Sequence, residues 1–331
     1  MKIGIIGLGF MGATHLNGFA TLPDVSVAAV CTNNPRALAG DLSQTGGNRA
    51  GAARVYDFSG VKKYTRWQDL LADADLDAVD ICLPTDLHPE VTIAALRAGK
   101  HVLVEKPMAL TLDACEQMMA VAAEQRRIFM VGQVLRFWPE YVYLREFTKS
   151  KAHGAIRSAT FIRQGALPEW SNWLPADARS GGAVLDLLIH DIDQALLLFG
   201  MPERVAAKKL GDGDTLTATL IYPGGPEVRI QGGWFAPGTP FSMTFQVRAE
   251  RAELEFTQAG LTLSDGTGSR TQVAPEGSDG YEAQLRYFVQ CCKSGEQPEQ
   301  CMPRESAQAV KIALLLKQSR AMGGEQISCL V

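Results

Sequence analysis

Three side chains in this sequence stand where a hydrophobic core would not choose them and where proton chemistry could use them: Lys106, Asp186 and His190. Lys106 belongs to Glu105-Lys106-Pro107, directly after the apolar run 101–104. At the carboxyl end of a parallel strand it stands on the rim where ligands bind, and burial there can lower a lysine's pKa until it trades a proton. Pro107 fixes the turn. Asp186 and His190 are four apart in G-G-A-V-L-D-L-L-I-H-D-I-D. On one continuous helix they share a face, with Asp193 three residues further on. His190 is the natural acid/base near neutral pH, and a carboxylate beside it fixes its tautomer or holds a substrate hydroxyl. Taken singly, an exposed loop lysine and a salt-linked surface histidine explain the same residues.

A third constellation is Gly7-Leu8-Gly9-Phe10-Met11-Gly12, a G-x-G-x-x-G turn that follows an apolar strand and opens a helix. Gly7 makes the tight turn, Gly9 lets the backbone approach a pyrophosphate, and Gly12 lets helix and strand pack closely. The helix N-terminus then offers N–H groups and a positive dipole end to the phosphates, so the segment Gly7 to Gly12, with Phe10 and Met11, predicts a dinucleotide site. The residue ending the second strand decides between NAD and NADP, because an acid there binds the ribose hydroxyls and repels a 2′-phosphate. The chain reads Cys31-Thr32-Asn33-Asn34-Pro35-Arg36, with no carboxylate. Thr32 and Asn33 could hydrogen-bond a phosphate and Arg36 could pair with it, which favours NADP over NAD.

The elements that must position these groups follow from the hydrophobic pattern. Residues 2–6, 25–31, 78–83, 101–104 and 129–131 read as strands. Residues 11–21, 35–44, 89–98 and 112–125 read as helices. This alternation predicts a doubly wound parallel sheet, a Rossmann domain over residues 1–125 with 129–131 as its last strand. Residues 45–64 break the rhythm and read as a loop or small insertion, with an arm of the cofactor pocket as the alternative. Past residue 126 the pattern changes. A strand at 155–164 and a long helix at 185–199 precede strands at 205–209, 216–222, 228–235, 241–248 and 252–256, separated by turn signals. Helices at 281–294 and 305–321 finish the chain. The fold class is therefore α/β with a second, α+β domain over 126–331. That domain is predicted to carry a large, open, mostly antiparallel sheet for substrate binding and oligomerisation, with the C-terminal segment packing back on the first domain. Apolar residues on both faces of 215–222 and 227–235 predict a homo-dimer or homo-tetramer through this sheet.

Bulk properties narrow the partners. The 331 residues suit two domains, and 46% hydrophobic with 21% charged residues is an ordinary globular mix. The net charge is −4 and basic runs do not exceed pairs such as Lys62-Lys63, so no nucleic-acid partner is expected. The seven cysteines show no C-x-x-C or Cys/His spacing, which argues for reduced thiols in the cytoplasm and no metal centre. The chain opens on a strand rather than a leader, and no run approaches the roughly 18 apolar residues of a membrane span.

Taken together, these segments closely resemble the Gfo/Idh/MocA oxidoreductases, which include glucose–fructose oxidoreductase and inositol 2-dehydrogenase. The likeness covers nearly the whole chain. It runs through the N-terminal fingerprint, Leu83-Pro84-Thr85-Asp86-Leu87-His88, the G-K-H-V-x-x-E-K-P segment at Gly99–Pro107, Arg136-Phe137-Trp138-Pro139 and the G-G-x-x-x-D-x-x-x-H segment. The resemblance implies an NAD(P)-dependent enzyme moving a hydride between nicotinamide and a carbinol of a sugar, cyclitol or related polyol. It implies Lys106 as the catalytic lysine, His190 as the acid/base and Asp186 as the group that holds the hydroxyl or orients His190. Leu83, Pro84, Thr85, His88 and Glu105 would line the cofactor site, and Arg136 would touch substrate. Trp170 and Trp173 lie between the two catalytic segments, where a ring could stack on a sugar or simply pack. The family often has an acid where Thr32 stands, and 45–64 is longer than its usual counterpart. A redox-neutral enzyme with tightly held NAD, cleaving glycosides through transient oxidation, is one alternative. A non-catalytic dinucleotide sensor is another, though it would not need both Lys106 and His190.

Overall fold

The computed structural model describes residues 1–47 and 54–330. Part of the irregular stretch 45–64 therefore lies outside the described residues. Two compact units emerge. The first comprises Met1–Val134, Pro168–Ser180 and Asp279–Ala307; the second comprises Leu135–Leu167, Gly181–Ser278 and Gln308–Val331.

The first unit alternates β1 (Lys2–Ile6), α1 (Phe10–Ala20), β2 (Ser26–Cys31), α2 (Pro35–Leu38), β3 (Lys62–Tyr64), α3 (Trp67–Leu71), β4 (Ala78–Ile81), α4 (His88–Arg97), β5 (His101–Glu105), α5 (Leu112–Gln125) and β6 (Phe129–Gly132). The strands form one parallel sheet in the order β3-β2-β1-β4-β5-β6. Ile3, Ile5, Val79, Ile81 and Val102–Val104 are fully buried, as continuous apolar strands covered on both faces must be. The order reverses direction between β1 and β4, and the ligand crevice of such sheets opens outside the strand ends at that point. The expected helix at 35–44 is cut to α2. Its chain turns at Gly40 (φ +101°), where a Cβ would lie 2.2 Å from the Tyr56 carbonyl oxygen. Strand β3 was not legible: it is a short edge strand with two charged residues, Lys62 and Lys63.

The chain continues through α6 (Pro139–Ser150), β7 (Ile156–Ala166), α7 (Asp177–Ser180), α8 (Gly182–Asp186), α9 (Ile189–Phe199), β8 (Arg204–Lys208), β9 (Asp214–Ile221), β10 (Glu227–Phe235), β11 (Ser242–Ala249), β12 (Ala252–Thr257), β13 (Gly260–Asp265), β14 (Arg270–Val273), α10 (Gly280–Ser294), α11 (Pro303–Ala321) and β15 (Ile327–Ser328). The second unit carries a nine-stranded sheet in the order β14-β13-β12-β11-β7-β10-β9-β8-β15, antiparallel except where β7 and β10 run parallel. One face is apolar: Ala159, Phe161, Leu216, Ala218, Val228, Ile230 and Phe245 are buried. Tyr141 of α6 packs edge-on against Phe245, and Ala183 at the start of α8 donates to Asp214 of β9.

Two expectations need correction here. The opposite face of this sheet is mostly polar, with only a few apolar residues. Thr160, Gln164, Thr217, Thr219, Arg229, Gln231, Thr244 and Gln246 occupy it together with Ile162 and Ile221, because alternation sends most of the aliphatic residues of β9 and β10 to the buried side. The helix expected at 185–199 is also not continuous. The N–H groups of Leu187 and Leu188 both donate to Ala183 O, at 2.9 Å each, so the chain makes an over-wide turn between α8 and α9. Asp186 ends one helix and His190 opens the next, and they do not share the face of a single helix.

Candidate functional site

The fingerprint turn shows why its glycines are needed. A Cβ on Gly7 (φ +101°) would lie 2.4 Å from the Cys82 carbonyl oxygen, and one on Gly12 would lie 2.0 Å from Gly7 O. At Gly9 a Cβ would meet nothing within 4 Å, so the protein's own packing does not demand a glycine there. A pyrophosphate approaching the backbone does. Gly9 is the N-cap of α1 and brings no side-chain cap, so the N–H groups of the first turn are left for an anion. These residues fit a dinucleotide. Phe10 and Met11 are half-buried in the turn. The Phe10 ring lies 6.1 Å from that of Trp170, and Gly46 and Gly47 pass so close to Trp170 and Phe10 that neither could carry a side chain. Trp170 thus belongs with the fingerprint, in the first unit. Trp173, half-buried, lies on the same segment.

Beyond β2, Thr32 Oγ1 accepts from the Asn34 amide (3.2 Å), Asn33 is exposed, and Asn34 caps α2. Arg36 is engaged already. It donates to Asp41 Oδ2 at 2.5 Å and Gln44 Oε1 at 2.7 Å. The Ser43 hydroxyl and Arg36 hold the Asp41 carboxyl down at about 2.

On the β4 and β5 rim, Leu83 and Pro84 are half-buried and Thr85 is buried in the turn Thr85–Leu87. His88 is buried and couples the two loops: Nδ1 lies 2.8 Å from Pro107 O, and Nε2 lies 2.9 Å from Leu83 O. Burial pushes its pKa below the ordinary value, against the pull of the two carbonyls. Glu105 is buried, and its Oε2 accepts from the Lys106 amide at 3.3 Å. Lys106 is half-buried, and the Lys106–Pro107 peptide is cis. Asp86 accepts from Arg179 of α7.

The second unit presents Asp186 and His190, both half-buried. Two acidic residues close to His190 on the same helix are both paired. Asp193 takes a two-point grip from Arg136 (2.8 and 2.6 Å), and Asp191 takes another from Arg163 of β7 (2.8 and 3.0 Å). All four are buried. Burial opposes the Arg163 charge, but Asp191 and the Tyr141 hydroxyl outweigh it and raise the guanidinium's pKa. Arg136 therefore grips the helix that carries His190. Sequence reasoning missed Arg163; the only signal was a charged residue at an inward position of an otherwise apolar strand face.

It also missed His15. This residue sits in α1, fully buried, with Nδ1 2.8 Å from Asp80 and Nε2 3.3 Å from Glu105. Burial opposes its charge, yet Asp80, with Cys82 beside it, raises its pKa well above 6.5. His15 Nδ1, Asp80 and Cys82 bring three potential ligand atoms within 4.8 Å of one another.

Comparison with known proteins decides the family. Residues 1–133 match the model of an oxidoreductase family with an NAD-binding Rossmann fold, and residues 141–255 match the GFO/IDH/MocA C-terminal domain. This chain belongs to the Gfo/Idh/MocA oxidoreductases. Within that family it is 36% identical over 152 residues to an uncharacterised oxidoreductase of Schizosaccharomyces pombe, spanning 46% of this chain and 41% of that protein. It is 26% identical to the myo-inositol 2-dehydrogenase of Thermotoga maritima over 96% of this chain and 94% of that one. Among solved structures, levoglucosan dehydrogenase in complex with NADH and levoglucosan shares the fold along 100% of both chains, with a TM-score of 0.83 at 20% identity. The α/β-plus-α+β architecture expected from the sequence is thus the family fold.

Proposed function

We propose that this Gfo/Idh/MocA oxidoreductase oxidises a secondary or anomeric carbinol of a sugar, cyclitol or related polyol. The observation that carries the reading is the joint presence of Lys106, at the carboxyl end of β5 on the ligand rim, and His190, locked by two buried Arg–Asp grips. The names of the inositol and levoglucosan dehydrogenases support the substrate class. When bound, the nicotinamide supplies the hydride acceptor or donor. His190 takes the hydroxyl proton, Asp186 orients that hydroxyl or the imidazole, and Lys106 polarises the reacting oxygen. We assign residues 1–125 with the strand at 129–131 to cofactor binding, and the sheet domain within 126–331 to substrate and self-association. Seven free thiols support a cytoplasmic location.

For the cofactor, NADP is favoured. No carboxylate ends β2, and Thr32 and Asn33 stand ready for a 2′-phosphate. Arg36 must exchange Asp41 for that phosphate, so Asp41 acts as the competing anion. Titration of NADH and NADPH against tryptophan fluorescence, with Trp170 beside the fingerprint as reporter, checks this. Tighter NADPH binding, tightened further by Asp41→Ala, is expected; tighter NADH binding reverses the preference. The function itself is tested by screening polyols and aldoses with both cofactors for net reduction of the free nicotinamide. Cofactor binding without turnover on any of them would favour the sensor instead.

A further inference from the structure

We propose that His15 is a positioning residue for the Glu105-Lys106-Pro107 turn: a buried imidazolium seated between Asp80 and Glu105, whose charge keeps Glu105, and through it the Lys106 backbone, in place. The functional weight of this rests on the role proposed above for Lys106.

The geometry is specific. Facing the imidazole are Asp80 and Cys82 from the β4 strand and its extension, Glu105 from β5, and the Tyr281 ring from α10 at 6.1 Å. With carboxylates at 2.8 and 3.3 Å from its two nitrogens, the ring faces negative charge on both sides, which favours the protonated form. The Glu105 side is held by charge rather than by a formed hydrogen bond. His15 Nε2 and Glu105 Oε1 are buried and neither has a hydrogen-bond partner. The other oxygen of the same carboxylate accepts from the Lys106 amide. Gly132 of β6 makes room for this carboxylate, since a Cβ there would lie 2.7 Å from Glu105 Oε1. A charge therefore runs from β4 through α1 to the turn at the end of β5. Without its cation, Glu105 would be a buried carboxylate that has lost its imidazolium partner, and the turn would open to hydrate it.

Amide hydrogen exchange of residues 101–110 in the 331-residue chain, with and without NADH, tests this alongside ¹⁵N imidazole NMR of His15. In the wild type, His15 stays doubly protonated between about pH 6 and pH 8, above the range of a free imidazole. His15→Gln lowers the protection of the turn by about tenfold at neutral pH. Adding Glu105→Gln to that variant removes the stranded charge and restores protection to within about threefold of the wild type. A packing role predicts the opposite, a double variant looser than the single one. If His15→Gln does not fold, Asp80→Asn provides the test: the turn's protection falls as pH rises from about 6 to 8 in that variant and stays level in the wild type. A neutral His15 at pH 7, a double variant worse than the single, or a level profile in Asp80→Asn overturns the proposal. Turnover of Lys106→Ala, measured separately, addresses the catalytic lysine alone, and its outcome leaves the exchange results standing.

Discussion

Lys106 and His190, the residues to which we assign the chemistry, sit in different settings. Lys106 sits in a turn whose neighbours, Glu105 and His88, are buried and tied to the backbone on either side of it. His190 opens a helix whose next residue but two, Asp193, and immediate neighbour, Asp191, are both gripped. A positioned acid/base contributes about 10²- to 10⁴-fold to turnover. Lys106→Ala and His190→Ala are each expected to lower kcat by at least about 10²-fold, with unchanged circular dichroism and NADH or NADPH binding. Wild-type turnover in either variant would remove that residue from the chemistry. At Gly12 the expectation concerns binding and fold together: Gly12→Val drives a Cβ into Gly7 O and abolishes dinucleotide binding in the fluorescence titration, whereas Gly9→Ala folds normally and loses affinity.

At the scale of elements, α9 is the part whose placement matters most. Two buried ion pairs are a poor way to gain stability, because apolar residues of similar volume do as well, but breaking one by removing a partner costs about 3–5 kcal/mol. Asp193→Ala should therefore shift the urea midpoint strongly downward. Arg136→Met with Asp193→Leu should recover most of the stability, yet leave turnover low, because no two-point grip then fixes the rotation of α9. Full recovery of both would mean that the Arg136–Asp193 pair serves packing alone. The broken joint between α8 and α9 has a related consequence. Asp186 and His190 are set by separate helices, so a change in one does not carry the other along a shared axis.

For the whole molecule, the mostly polar outer face of the nine-stranded sheet is the surface to which we assign self-association. The rows in register across β11, β7, β10 and β9, Gln246-Thr160-Arg229-Thr219 and Thr244-Ile162-Gln231-Thr217, offer mainly hydrogen-bonding groups. A dimer or tetramer through this face is expected in light scattering, and Thr160→Arg with Thr217→Arg should yield monomers that still bind the dinucleotide. An unchanged mass would place the interface elsewhere. Stability should also depend on pH. Burial lowers the pKa of His88, so the unfolded chain takes up a proton near 6.5 that the folded state refuses, and stability falls as pH drops through that range. His15, with its pKa raised, contributes in the opposite sense: its stabilisation is complete below about 6.5 and fades as pH climbs through the raised value. Among the described residues no helix is long and apolar enough to cross a membrane.

Local rules wrote much of this protein in its sequence. The period of the apolar residues set most of the strands and helices of both units, though not β3, α3, α6, β13 or β14, which are short or polar. The glycine turn carried its own steric reasons, and Lys106 and His190 stood in motifs specific enough to suggest the family. Such features depend on neighbours a few residues away, so a linear chain displays them. Charge pairing did not show, because it joins residues far apart: Arg163 with Asp191, Arg136 with Asp193, and His15 with both Asp80 and Glu105. Which face of the second sheet was apolar, and where the helix before His190 broke, were likewise decided by packing. A buried charge must find its partner in three dimensions, and the sequence records the residues of such a pair without recording that they meet.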